Sequence, residues 1–348
     1  MLCGMHAQVL EKDESGLVYY SPKTSITLDF TYTVETYEPG IYAQYAEAML
    51  GVTDAVKENK KVYRLKDVHI GTTTSTDYTR PHKVTTEGGI PILLSINEKG
   101  LLTGYNLPTG QEKKEVHRSH MTGDHKSSRA AKNHIAPYPE DVLKAATPMA
   151  QAHAVAKQIF HLRETRMYLL NGEVEHAPAD GEAMKLVLEE LDKQEQALTA
   201  LFMGKKSKKT EHKKTAYNKI SRQGAENDDV IKGLLFFSEE NGFTNEDNID
   251  ADTITILICL NPVSYKPTVT EPKKSKKKGE ELTSLTYNLP GNAVVKVRSK
   301  KGDLHRERTI PMAQLGIDVA LPKSMFTGAS LPVIVFDEKT GNIKSISK

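Results

Sequence analysis

Leu17-Val18-Tyr19-Tyr20-Ser21-Pro22-Lys23-Thr24-Ser25-Ile26-Thr27-Leu28-Asp29-Phe30-Thr31-Tyr32-Thr33-Val34-Glu35-Thr36-Tyr37 is the stretch on which the reading of the fold turns. Leu17, Tyr19, Ile26, Leu28, Phe30, Tyr32 and Val34 alternate with polar residues over much of the run, the period of a strand that buries one face. Pro22 removes a ladder donor inside it, which predicts two short strands or an edge strand with a bend. Outward from this run, Pro39-Gly40 marks a turn. Ile41 to Leu50 has helical spacing through Tyr42, Tyr45, Ala46 and Met49, and stops at Gly51 as a helix C-cap. Val62 to Ile70, Lys83 to Thr86 and Ile90 to Tyr105 read as further strands.

From Leu107 to Ala136 the chain is rich in Lys, Arg, His, Ser, Gly and Thr with almost no apolar period, a long polar connection. Thr147 to Leu170 then spaces Ala152, Val155, Ile159 and Leu162 as a helix ending near Asn171-Gly172. Asp180 to Met203 does the same with Met184, Leu188, Leu191, Leu198 and Phe202, with Asp180 as N-cap and Gly204 at its end. These predict an antiparallel helical hairpin whose apolar stripe packs on a sheet. Ala216 to Arg222, Val230 to Ser238, Thr253 to Leu260 and the region from Leu285 onward read as strands. The expected class is α+β, with β-rich units at both ends and the helical hairpin in the centre.

The units expected are 1–8, a signal-peptide remnant or disordered N-terminus; 9–107, an N-terminal β-rich domain; 108–140, the polar connection; and 141–204, the hairpin. Residues 205–265 follow as a β segment packing with the hairpin, 266–283 as a lysine-rich linker and 284–348 as a C-terminal β-rich domain. An internal repeat relates the two ends. Leu17-x-Tyr19-x-x-Pro22 is answered by Leu285-x-Tyr287-x-x-Pro290, and the run from Pro91 to Lys99 by the run from Pro332 to Lys339. A β-bulge absorbs the one-residue difference in spacing.

Tryptophan is absent, so Leu, Ile, Val, Phe and Tyr must build the cores of this 348-residue chain, and no apolar run is long enough to span a bilayer. A net charge of +2 argues against the whole molecule being a polyanion binder. Two cysteines, Cys3 and Cys259, give no disulfide framework, and Cys259 reads as a small core residue within Ile254 to Leu260. Ala7 followed by Gln8 at the start of a polar segment resembles the end of a secretory signal peptide, although the basic start and apolar region of a signal are missing. Met1 then reads as an internal methionine, and the protein as exported, to the periplasm or cell envelope.

His117, His120, Asp124 and His125 form the one cluster with metal-ligand chemistry, imidazole and carboxylate at spacings that could supply three ligands to zinc. Lys113, Lys114, Arg118, Lys126 and Arg129 around it would repel a cation, so a solvated loop is the expected outcome. Asn245 to Asp252 has calcium-like composition but lacks the turn glycine and distal glutamate of an EF-hand, and reads as an acidic turn. The lysine runs Lys205 to Lys219 and Lys273 to Lys278 suit anionic surfaces, yet lack the aromatic platforms of single-strand binders apart from Tyr217. They read as linker or exposed strand faces, and nucleic acid is not an expected partner. No Gly-x-Ser-x-Gly elbow, Walker loop, dinucleotide-binding glycine pattern or His-Glu-x-x-His motif occurs. No catalytic residue or cofactor is therefore expected.

Several stretches together carry a resemblance. They are Tyr37 to Glu47, Leu162 to Arg166 with Asn171-Gly172-Glu173, Pro178 to Glu182 running on to Leu188 to Asp192, Ala313 to Gly316, and Tyr287-x-x-Pro290-Gly291. The chain resembles a family of exported Bacteroidetes proteins known only as a domain of unknown function. That resemblance implies export behind a signal peptide and supplies no catalytic residue, cofactor or ligand. The leading expectation is a non-enzymatic envelope module that binds or assembles with an envelope protein or glycan. The alternatives are a metal-dependent hydrolase using His117 to His125, and a binder of anionic surfaces through the lysine runs.

Overall fold

Residues 16–85, 93–108, 140–173, 180–221, 230–245, 251–263, 285–326 and 330–347 are described by a computed structural model. The strands are β1 (Gly16–Glu38), β2 (Lys60–Thr85), β3 (Leu94–Ile96), β4 (Leu102–Tyr105), β5 (Lys205–Tyr217) and β6 (Val230–Ser238). They continue as β7 (Gly242–Thr244), β8 (Asp252–Asn261), β9 (Thr286–Ser299), β10 (His305–Ala320), β11 (Val333–Phe336) and β12 (Ile343–Ser347). The helices are α1 (Ala46–Leu50), α2 (Glu140–Lys144), α3 (Pro148–Asn171) and α4 (Gly181–Met203). Three antiparallel sheets result, in the strand orders β2-β1-β5, β10-β9-β8-β6-β7 and β12-β11-β4-β3.

The opening run is one strand of 23 residues, paired along its length with the 26 residues of β2. At about 3.3 Å per residue the ribbon is roughly 75 Å long. Pro22 does not divide it. The ring lies opposite Thr76 where β1 has β2 on one side only, since β5 pairs from Ile26 onward. The bend arises next to the proline: Tyr20 faces Pro81 but Ser21 faces Asp77, so Tyr78, Thr79 and Arg80 bulge out of register. Gly71 to His82, not expected as strand, joins the two segments that were. Its threonines show no apolar alternation, but their branched Cβ favours extended backbone. In the other direction, the strand expected over Ala216 to Arg222 stops at Tyr217.

Below the bend, Ile26, Leu28 and Phe30 of β1 with Val68 and Ile70 of β2 face Ile254, Ile256, Ile258, Val295, Val297 and Ile310 of the five-stranded sheet. Each such fully buried side chain contributes about 1.5–3 kcal/mol of transfer free energy, so this sandwich is the main core. Above the bend, Tyr19 and Val84 pass into a second core with Leu102, Tyr105, Phe326, Ile334 and Phe336. The sheet that closes it takes β3 and β4 from the first third of the chain and β11 and β12 from its end, joined by Ile334 opposite Tyr105. Cys259 is not a core residue. It alternates with Ile258 and Leu260 on β8 and is half-buried on the outer side.

The expectation of an α+β fold around a central helical hairpin is overturned. Strands make up 52% of the described residues and helices 25%, and the architecture is three antiparallel sheets. Helices α3 and α4 form where the apolar spacing placed them, with Thr147 and Asp180 accepting from Ala150 N and Glu182 N at their starts. The connection 174–179 lies outside the described residues. The apolar stripes do not pack on a sheet: Ala152, Val155, Ile159, Leu162, Leu198 and Phe202 form a third core with Tyr42, Ala46 and Val142. A 3.6-residue period reports that a helix has a buried face, not what buries it. This layer is tied to the end of β1 by Tyr42 N donating to Leu201 O (2.9 Å) and Val56 N to Met203 O (3.0 Å).

Gly204 makes the α4-to-β5 turn at φ +73°, where a Cβ would lie 2.4 Å from Glu38 O. Gly204→Ala is expected to lower stability by about 2 kcal/mol or more. Tyr105 is fully buried, with its hydroxyl unpaired among the described residues. Tyr105→Phe is therefore expected to be neutral or stabilising by about 1 kcal/mol. Urea-denaturation midpoints check both, and a marked loss in Tyr105→Phe would refute the second.

Candidate functional site

Ribbon β9–β10 bends at the same level as ribbon β1–β2. Met312 faces Gly291 and Ile317 faces Leu289, so Ala313 to Gly316 bulge opposite Pro290. The two Leu-x-Tyr-x-x-Pro stretches therefore end at the two bends, with Tyr19 and Tyr287 both against the second core. Where β1 lacks β5 beside it, the Gln314 amide takes the place of a strand. It accepts from Thr24 N (2.9 Å) and donates to Thr24 O (2.6 Å), and Ala313 N donates to Thr24 Oγ1 (3.3 Å). Asn288 Nδ2 donates to Ala313 O (3.0 Å) and Thr340 O (2.7 Å), tying in the β11–β12 turn. Gln314, Thr24 and Asn288 are all buried, so these bonds satisfy groups that would otherwise each cost about 1–3 kcal/mol.

The titratable members of this joint come from both bends. Arg80, in the β2 bulge, donates to Asn288 Oδ1 (3.3 Å) and Ala313 O (3.4 Å), and its guanidinium holds the Asp318 carboxylate. Ser21 Oγ meets His82 Nε2 at 2.7 Å. The imidazole stacks on Tyr19 with ring centroids 5.1 Å apart, and Tyr19 donates to Thr286 O (2.7 Å). Burial pushes the Tyr19 phenol up to about 12, the Thr286 bonds acting against it. Burial likewise pushes His82 below its ordinary value; the Asp318 carboxylate acts against that shift and the Arg80 guanidinium adds to it. The neutral ring is the form this fold favours.

Serine, histidine and aspartate are thus together, but not as a nucleophile and its relay. A relay needs the serine on one ring nitrogen and the carboxylate on the other. Here Asp318 Oδ1 lies 3.9 Å from the same Nε2 that meets Ser21. Ser21 itself is buried, and the adjoining recess between Tyr20, His82, Tyr287, Asn288 and Asp337 holds about 20 Å³, the space of one water. No local motif announces this cluster, because its members are 61 and 238 residues apart in the chain.

His117, His120, Asp124 and His125 lie outside the described residues, as do Lys273 to Lys278, Cys3 and the central part of the acidic turn, 246–250. Asp252, the last carboxylate of that turn, is buried and accepts from Lys301 N (3.1 Å). Among the described residues no group of three or more His, Cys, Asp or Glu side chains is placed to hold a metal ion, and no helix is long and apolar enough to cross a membrane. Of the run Lys205 to Lys219, read as linker or exposed strand face, Lys205 to Tyr217 form the edge strand β5.

The chain belongs to the family described as a domain of unknown function (DUF4831), whose model matches residues 15–344. No curated protein and no solved structure matches it.

Two outcomes follow from the joint. Gln314→Ala leaves Thr24 N and O without their partner and is expected to cost about 2–3 kcal/mol in urea denaturation. His82 contributes stability that is fully present above the unfolded-chain value of ~6.5 and is lost as pH falls from there through its depressed folded-state value. His82→Gln is therefore expected to flatten the fall in denaturation midpoint between pH 7 and pH 5. Parallel profiles for the two proteins would refute it.

Proposed function

We propose that this member of the DUF4831 family is an exported cell-envelope protein that acts as a non-catalytic binding or assembly module. The geometry at His82 carries the reading. The cluster that most resembles a hydrolase centre places Ser21 and Asp318 on one nitrogen, commits Asp318 to Arg80 and leaves a water-sized recess. Its hydrogen bonds and packing serve the meeting of two bent ribbons, and the recess beside the buried serine is small for an acyl or glycosyl group.

Support for binding comes from the three-stranded sheet. One of its faces packs in the main core, while the other carries Thr27, Asp29, Thr31, Glu35 and Tyr37 with flanking lysines. A broad surface of hydroxyls and paired charges, fixed on a long ribbon, suits recognition of an envelope protein or a glycan better than enclosure of a small molecule. Export is supported by the Ala7-Gln8 pattern and by the resemblance to exported Bacteroidetes proteins.

Two measurements test the two halves of the reading. A fluorophosphonate serine-hydrolase probe is expected to leave Ser21 unlabelled; labelling that disappears in His82→Ala would overturn the non-catalytic half. Mass spectrometry of the native protein from fractionated source cells is expected to find a mature start at Gln8 in the envelope fraction. An intact Met1 start in the cytosol would overturn export.

A further inference from the structure

Strand β5 reads Lys205-Lys206-Ser207-Lys208-Lys209-Thr210-Glu211-His212-Lys213-Lys214-Thr215-Ala216-Tyr217. One side of it pairs with β1 from Ile26 to Glu38. The other side is the edge of its sheet, and among the described residues no backbone group pairs with it. Six lysines and one histidine face a single glutamate within the strand. The neighbouring strand offsets only part of this: Lys208 reaches Glu35 (2.9 Å), and Lys214 and His212 reach Asp29 (3.9 and 3.1 Å). Lys209 pairs within the strand, with Glu211 (3.0 Å). Lys205, Lys206 and Lys213 have no carboxylate within ion-pair distance among the described residues, Lys213 lying instead over the Phe243 ring at 5.3 Å. The surplus is felt locally, since the Lys208 hydrogen bond holds the Glu35 carboxyl below its ordinary value.

A lysine on an edge strand is a common device against unwanted strand addition. Six lysines in thirteen residues go beyond that device, since neighbouring like charges repel one another. The distribution of the six points further. Register places Lys206, Lys208 and Lys214 on the outer face of the sheet, and Lys205, Lys209 and Lys213 on the side of the core, at its rim. A polyanion lying on the open face would meet only the first three. An occupant in the plane of the sheet, with side chains alternating to both faces, would meet all six. A second copy of β5 would set lysines against lysines, so the same row discourages self-pairing.

We propose that the outer edge of β5 is a docking edge for an extended acidic segment of a partner protein, which adds as a further strand and pairs its carboxylates with lysines on both faces. The proposal rests on the binding-module reading and names the partner chemistry for it. Backbone bonds would supply register and affinity, and the lysines would select against neutral, basic and self strands.

The test uses the full chain and a fluorescein-labelled thirteen-residue peptide of glutamates interspersed with threonine and valine. Two further peptides carry the same side chains with the backbone N-methylated at alternate residues, one for each alternation. Fluorescence anisotropy is expected to show saturable, salt-dependent binding of the parent peptide. One N-methylated peptide, whose blocked amides face β5, is expected to bind at least tenfold more weakly, and the other to retain binding. Lys206→Glu/Lys208→Glu/Lys213→Glu, with its fold checked by circular dichroism, is expected to weaken the parent peptide at least tenfold. No saturable binding of the parent peptide would overturn the proposal. So would equal binding of all three peptides, with competition by heparin, which would mark a charge-only polyanion surface. Neither result bears on the non-catalytic reading, which is decided at Ser21.

Discussion

A strand that bends between two cores loses its ladder partners at the bend, and a buried backbone group left unpaired is costly. This protein has two such bends at one level, in β1–β2 and in β9–β10, and the side chains that bulge from one ribbon satisfy the other. Gln314 acts as a short rung for Thr24, and Arg80 reaches back to Ala313, Asn288 and Asp318. Because both ribbons continue into the same two cores on either side, the joint fixes the angle between the main sandwich and the smaller sheet. The β3–β4 and β11–β12 hairpins then meet edge to edge, bringing the last two strands of the chain against residues 94–105.

The same constraint accounts for the chemistry that is found there. Ser21, His82, Arg80 and Asp318 are polar residues in a dense junction, and each is spoken for by a neighbour. A neutral imidazole stacked on Tyr19 and bonded to a buried serine suits a site that must stay closed rather than one that must exchange substrate. Surplus positive charge lies elsewhere, along β5, where Lys205, Lys206 and Lys213 have no carboxylate partner among the described residues. The third core holds that strand's entry point, through the close approach of Gly204 to Glu38 and of Tyr42 to Leu201.

Local patterns were legible where one side of an element is buried. Ile254, Ile256, Ile258 and Leu260 announce β8 by alternation, and Thr147, Gly172, Asp180 and Gly204 bound the two long helices because capping is a local hydrogen-bonding matter. The threonine run in β2 was not legible as a strand, and the lysine run in β5 was legible only as linker or exposed strand face. Their polar residues carry no alternation, and what makes them extended is a partner, β1, about 50 and 180 residues away in sequence. The joint was hidden for a related reason. Gln314 and Arg80 are unremarkable in sequence, and only the two bulges give them something to bond.

By itself the sequence determined which segments have a buried face, where the helices start and stop, and that Pro22 marks a bend. Periodicity, caps and proline geometry all act over a few residues, so one chain segment is enough to express them. Only the tertiary structure decided that the helices pack on one another and on the turn after β1 instead of on a sheet. It also decided that the fold is mainly β, that the last two strands share a sheet with β3 and β4, and that serine, histidine and aspartate meet without forming a relay. Those outcomes depend on pairing and packing between residues far apart in the chain, where a one-residue bulge changes which side chains face each other.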